Sequence, residues 1–309
     1  MIINALKQYF YFMPKKLTPL AIAYDFDGTL ARGNMQEYDF IPALKMTSKA
    51  FWNDVKTLAK EQEADEILAY MSTMINKAHQ KRVPIRRSDF KTFGKSVTLF
   101  EGVPEWFDRV NDYGKVRDVK VQHFIISSGL REMIRGTAIS KKFTEIYASG
   151  FMYDQHDVAM WPALAINYTT KTQYLFRINK GSLDLSDNTV INRFVSPSER
   201  PVPFENIVFV GDGETDIPCM RLVRDLGGHS IAVYDPNRRG ASKKAQALVT
   251  EGRATIAASA DYQTDSKIDV SIKAIIDKVS AQSRLREAKG SSAIKDRGDP
   301  AISSTPLPA

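Results

Sequence analysis

Four short apolar runs, each stopping at a polar or glycine-rich turn, constrain this chain most. Leu20-Ala21-Ile22-Ala23-Tyr24 stops at Asp25, and Val119 to Ile126, which holds Val121, Phe124 and Ile125, stops at Ser127-Ser128-Gly129. Ile207-Val208-Phe209-Val210 stops at Gly211-Asp212-Gly213, and Ser230-Ile231-Ala232-Val233-Tyr234 at Asp235-Pro236. Runs this short and, apart from Lys120, Gln122 and His123, this apolar suit strands covered on both faces, as in a parallel sheet flanked by helices. The predicted class is α/β. Open sheets of this kind hold their sites just beyond the C-terminal ends of the strands, where these turn residues fall.

Residues 25–118 separate the first two runs, far more chain than one crossover needs. The excess predicts an insertion over 35–99, dividing a core of 1–34 and 100–282. Apolar positions at Phe51, Val55, Leu58, Ile67, Leu68, Met71, Met74 and Ile75, with charges between them, predict helix over Lys49 to Lys81. Asp89 to Leu99 reads as a shorter helix. Phe143 to Tyr168 reads as a hairpin or extended excursion, and Leu183 to Pro203, rich in Pro and Asp, as a surface loop. Thr170 to Asn179 has a helical pattern, with Thr169 or Thr170 as N-cap and Gly181 just past its end. Ser266 to Val279 is the last predicted helix. Residues 283–309 gather Ser, Pro, Gly and charge and are expected to be disordered.

Composition removes several function classes. Cys219 is the single cysteine and there are four histidines, so an internal disulfide and a Cys/His zinc cluster are both out of reach. No run approaches the length of a membrane span, and the cluster Tyr9-Phe10-Tyr11-Phe12-Met13 is too short for a signal peptide. Met1 to Leu20 reads as a packed or docked arm, and the protein as cytoplasmic. The net charge of +7 favours an anionic partner, but the basic residues are spread along the chain.

In their order along the chain, Asp25-Phe26-Asp27-Gly28-Thr29, Ser127-Ser128-Gly129, Lys171 and Gly211-Asp212-Gly213-Glu214-Thr215-Asp216 resemble the four motifs of the haloacid dehalogenase superfamily. The layout is similar to its phosphoserine-phosphatase-like branch. The resemblance implies a three-layer, Rossmann-like parallel sheet with an inserted helical cap of the C1 type. It implies a magnesium-dependent phosphatase in which Asp25 is the covalent nucleophile and Asp27 the general acid and base. Ser127, Ser128 and Gly129 would hold the phosphate, with Ser127 and Ser128 as rivals one residue apart. Lys171 would balance the charge, Lys180 being its alternative. Asp25, Asp27, Asp212 and Asp216 would form the Mg2+ site, Asp27 through its backbone carbonyl and Asp216 from behind the direct ligands.

The partner so implied is a small phosphorylated substrate. Family members that cleave carbon–halogen bonds lack an acid at the position of Asp27, which argues against dehalogenation here. A phosphomutase or phosphotransferase of the same fold fits the motifs equally. The alternative of another class is a non-catalytic protein of this fold that binds anions or nucleic acid. Placement of all four motifs weighs against it.

Overall fold

A computed structural model of the chain describes residues 17–187 and 189–295, with side chains described as far as residue 289. In chain order the main elements are β1 (Thr18–Tyr24), α1 (Ser48–Glu61), α2 (Glu66–Lys81), α3 (Arg87–Gly94), α4 (Val103–Lys115) and β2 (Val119–Leu130). There follow β3 (Glu145–Tyr153), β4 (Ala159–Leu164), α5 (Lys171–Lys180), β5 (Ile207–Gly211) and α6 (Ile217–Asp225). The chain closes with β6 (His229–Tyr234), α7 (Ala241–Thr250), β7 (Ile256–Ser259) and α8 (Lys267–Lys295).

The seven strands form one sheet in the order β4-β3-β2-β1-β5-β6-β7, parallel except for the β3–β4 hairpin. Its layering follows from alternation along β1. Leu20, Ile22 and Tyr24 pack on one side with Trp106 and Phe107 of α4 and Ile272 and Ile276 of α8. Ala21 and Ala23 pack on the other with Tyr174 and Leu175 of α5 and Met220 and Val223 of α6. Both faces are covered, which is why the run reads as continuously apolar. Phe51, Met71, Met74 and Phe90, from α1 to α3, join the same cluster as Leu20 and Ile22.

Local chemistry sets the helix boundaries in 35–99. Thr47 Oγ1 accepts from Ala50 N at 3.2 Å to start α1, and Asp65 Oδ1 accepts from Ile67 N at 2.9 Å to start α2. The stretch Lys49 to Lys81 is therefore two helices, broken where Glu63 takes a left-handed φ of 50°. Asp89 accepts from Arg86 N at 2.7 Å and moves the start of α3 to Arg87, and the helix stops at Gly94, short of Leu99. The loop 183–203 carries two short helical turns, at Thr189–Asn192 and Pro197–Glu199.

Two expectations at the chain ends change. Thr18 to Leu20 belong to β1, not to an arm, while residues 1–16 lie outside the described residues. The last helix does not end at Val279. It runs to Lys295, because Thr18 Oγ1 donates to Ser283 Oγ at 2.7 Å, Arg286 pairs with Glu205 at 3.0 Å, and Leu285 to Lys289 are good helix formers. The expected disorder thus fails over 283–295, and 296–309 lie outside the described residues. Among the described residues, no helix is long and apolar enough to cross a membrane.

Beneath the first layer of helices, a buried polar chain makes stability depend on pH. Trp106 Nε1 donates to Tyr24 Oη at 2.9 Å, Tyr24 Oη lies 3.0 Å from His123 Nδ1, and His123 Nε2 lies 3.1 Å from Asn111 Oδ1. Burial lowers the His123 pKa to about 3, from an ordinary value of 6.5. Between these values the unfolded chain binds a proton that the folded chain refuses, so stability falls as pH drops below the unfolded value. The expected loss from His123 between pH 7 and pH 5 is about 2 kcal/mol. Unfolding free energies from urea titrations at both pH values should show a drop smaller by that amount in His123→Gln. Equal drops in both proteins would refute the assignment.

Candidate active site

On either side of β1 the strand order runs outward in opposite directions, and the crevice beyond β1, β2 and β5 is where doubly wound sheets bind ligands. Asp25 leaves β1 at this point, and its amide donates to Val210 O at 2.9 Å, tying it to β5. Asp212 leaves β5. Lys171 opens α5 and Asp216 immediately precedes α6, so helices on one face bring both to the same place.

Lys171 Nζ lies 3.1 Å from Asp25 Oδ1 and donates to Asp216 Oδ1 at 2.7 Å. Lys171 and Asp216 have no exposed surface. Asp216 Oδ2 accepts from Asp212 N at 3.1 Å and Gly213 N at 3.3 Å, so both its oxygens hold the lysine and the turn. Carboxylate oxygens of Asp25, Asp212 and Asp216 lie within 4.8 Å of one another. Asp25 Oδ1 makes no aligned hydrogen bond, and Asp212 completes the triangle. Asp27 stands outside that triangle, its Oδ1 accepting from Met35 N at 3.0 Å.

Four carboxylates therefore share one ammonium. Burial raises the Asp27 carboxyl well above the usual range, and the charge of Asp25 adds to this. Burial and the charges of Asp216 and Asp25 do the same to Asp212. Burial raises the Asp216 carboxyl above its ordinary range, against the pull of the Lys171 ammonium, which favours its ionised form. Burial opposes the Lys171 charge, but Asp216 and Asp25 outweigh it and raise its pKa. The excess negative charge, carried on oxygen donors with no histidine or cysteine, suits a hard divalent cation.

Close packing explains two of the glycines. Gly28 has φ of 73°, and a Cβ there would fall 2.1 Å from Asp212 Oδ2. At Gly129 a Cβ would fall 2.3 Å from Met35 Cε and 3.0 Å from Asp27 Oδ2. The loop after β1 and the end of β2 can approach the carboxylates only because side chains are missing there.

The Ser127-Ser128-Gly129 segment does not end the strand as its sequence predicts. β2 continues irregularly through it to Leu130, and a single helical turn, Arg131–Ile134, follows. Ser127 Oγ is buried and accepts from Gly129 N at 3.1 Å. Ser128 Oγ is buried without a hydrogen-bond partner. Lys180 is turned elsewhere and donates to Ile191 O at 2.6 Å and Arg193 O at 3.0 Å. At the start of α5, neither Thr169 nor Thr170 caps by its side chain; Thr170 Oγ1 instead accepts from Asn167 N at 2.8 Å. Cys219 is buried in α6, and burial raises its thiol pKa.

Sequence reasoning missed two contributors from 35–99. Met35 supplies the amide that fixes Asp27, and Tyr70 of α2 donates its hydroxyl to Ser128 O at 2.7 Å. Tyr70 lies on the apolar face of α2, where its periodicity signals only packing.

Among solved structures of similar fold is a hydrolase of the haloacid dehalogenase family from Salmonella enterica serovar Typhi. It has a TM-score of 0.51 and 15% identity, covering 89% of this chain and 78% of that one. A probable phosphoserine phosphatase from Vibrio cholerae has a TM-score of 0.50 and 14% identity, covering 87% and 68%. An uncharacterized protein of Borreliella burgdorferi is 27% identical over 277 residues, covering 81% of this chain and 93% of its own. The family model for haloacid dehalogenase-like hydrolases matches residues 22–221, a span that begins in β1, ends in α6 and holds every residue of the carboxylate and lysine cluster. By that match, the chain belongs to the haloacid dehalogenase-like hydrolases.

Proposed function

We propose that this hydrolase is a magnesium-dependent phosphatase that cleaves a small phosphate monoester through an aspartyl-phosphate on Asp25. The observation that carries the reading is the buried Lys171, 3.1 Å from Asp25 and 2.7 Å from Asp216, with the Asp212 carboxylate beside them. In the first step an Asp25 oxygen bonds to phosphorus as the bond to the leaving oxygen breaks. Asp27, whose burial and proximity to Asp25 favour its protonated form, gives that proton to the leaving alcohol. Now ionised, Asp27 takes a proton from water as the water oxygen bonds to phosphorus and releases Asp25. Lys171 stabilises charge on Asp25 and the phosphoryl oxygens, while Asp216 holds the lysine in place.

Asp25 and Asp212 would hold Mg2+ with the backbone carbonyl of Asp27, and Asp216 would act from behind them. A bound magnesium neutralises charge on the transferring phosphoryl group. Phosphate contacts fall to Ser127 or Ser128, and 35–99 serves as the cap that closes over the site, with 1–34 and 100–282 as the core. The buried lone thiol of Cys219 suits a reducing cytoplasm.

The test is phosphate release from sugar phosphates, nucleotides, phosphoserine and phospholipid head groups, with magnesium and with chelator. Magnesium is also expected to raise the thermal midpoint of the wild type by several degrees and to have little effect on Asp212→Asn. Absence of metal-dependent release from every ester would remove the proposal.

A further inference from the structure

Several side-chain polar groups near the end of β2 are buried yet lack an aligned hydrogen bond. They are Ser128 Oγ, Arg131 Nε, both carboxylate oxygens of Glu132 and Tyr153 Oη. Glu132 is only 1% exposed. A buried carboxylate without aligned donors is costly, so such a group calls for a further partner. Its charge, by contrast, is already matched. Arg131 Nη2 lies 3.6 Å from Glu132 and Arg87 Nη1 lies 4.0 Å from it, while Arg87 also pairs with Asp157 at 3.0 Å and covers the Tyr153 ring at 4.0 Å.

The cluster adjoins the candidate site. Arg131 and Glu132 follow Ser127-Ser128-Gly129 within a few residues, and Gly129 packs against Asp27. Tyr70 joins the two groups: its hydroxyl donates to Ser128 O, and both Asp27 and Glu132 lie near enough for their charges to act on it. Arg131 crosses β3 at Gly150, where a Cβ would fall 2.6 Å from Nη2. The position is beneath α2 and α3, beside the end of β2 that packs against Asp27.

We infer that Glu132 and Arg131 form the subsite for the leaving group, and that this group carries neighbouring hydroxyls, making the substrate a polyol or sugar phosphate. The inference rests on the phosphatase reading. An ammonium group would meet two guanidiniums already paired with Glu132. An alkyl or aryl group would leave Glu132 with only the two guanidiniums at 3.6 and 4.0 Å and the nearby Tyr153 hydroxyl, and Arg131 Nε without an aligned acceptor. A hydroxyl donates to Glu132 and accepts from Arg131 without adding charge, and adjacent hydroxyls reach both carboxylate oxygens.

The experiment compares glycerol 1-phosphate, propyl phosphate, 2-aminoethyl phosphate and p-nitrophenyl phosphate with the wild type, Glu132→Gln and Asp25→Asn. Wild-type kcat/KM for glycerol 1-phosphate is expected to exceed that for propyl and 2-aminoethyl phosphate by about 100-fold. In Glu132→Gln that ratio should fall to about tenfold or less. A purely structural role for Glu132 would lower all rates together and leave the ratio unchanged, which would overturn the inference. Equal wild-type rates on the glycerol and propyl esters, or preference for the aminoethyl ester, would also overturn it, even if Glu132→Gln does not fold. Asp25-dependent release from p-nitrophenyl phosphate without any hydroxyl preference defeats this inference alone. No Asp25-dependent release from any ester defeats the phosphatase reading as well.

Discussion

Asp25→Asn is expected to lower phosphate release by about 10⁴-fold or more, because an amide oxygen neither attacks phosphorus readily nor forms the acyl-phosphate. The same change should leave the protein folded and raise its resistance to urea. Asp25 faces Asp212 and Asp216 within a few ångströms, and its charge helps to raise the carboxyl groups of Asp27 and Asp212. Removing it relieves repulsion that the single Lys171 does not offset. Measured together, the two effects separate a catalytic residue from a structural one: a loss of activity with a matching loss of stability would contradict the assignment.

The second large effect is expected from Lys171→Met. Lys171 is fully buried between Asp25 and Asp216, and without it Asp216 becomes a buried carboxylate with only backbone donors. Breaking a buried pair by removing one partner costs about 3–5 kcal/mol, which should appear in the urea midpoint at pH 8. The sign of the pH dependence follows from the same geometry. With no ammonium to hold Asp216 ionised, its raised carboxyl pKa rises further, so the variant takes up a proton on folding as pH falls. The stability gap between variant and wild type should therefore narrow from pH 8 to pH 5. A gap that widens, or a variant as stable as the wild type, would show that Lys171 is not paired as described.

What was legible in the sequence was the part that repeats a simple physical pattern. β1, β5 and β6 are nearly continuous apolar runs, and β2 holds one at Phe124-Ile125-Ile126, because both sheet faces are covered there, and each could be read together with the polar residues that follow it. The helical character of Lys49 to Lys81 was equally plain from its periodicity, though not its break into two helices. α4 was missed because Gly102, Val103 and Pro104 open it and a glycine sits near its end at Gly114, so it lacks a uniform pattern. β7 is four residues long, Ile-Ala-Ala-Ser, with too little apolar bulk to announce a strand.

Within the candidate site, Asp25, Lys171, Asp212 and Asp216 could be found because each lies at an element end named by its motif. Their convergence could not be found from local sequence, since it depends on the strand order. The ties from 35–99 were hidden for a related reason. Met35 acts through its backbone amide, which carries no residue signature, and Tyr70 looks like one more core residue of α2. Glu132 was unremarkable in sequence, and only its burial without aligned donors sets it apart.

The most direct test of covalent chemistry at Asp25 is to trap the intermediate. Asp27→Asn should still be phosphorylated by p-nitrophenyl phosphate, whose leaving group needs little help from an acid, but should lose the base that drives hydrolysis of the acyl-phosphate. Acid-quenched Asp27→Asn, digested and examined by mass spectrometry, is expected to carry one hydroxylamine-labile phosphoryl group on the peptide containing Asp25, and Asp25→Asn none. Turnover of the ester by the wild type with no phosphoryl group on that peptide, or a phosphoryl group on another residue, would contradict Asp25 as the nucleophile.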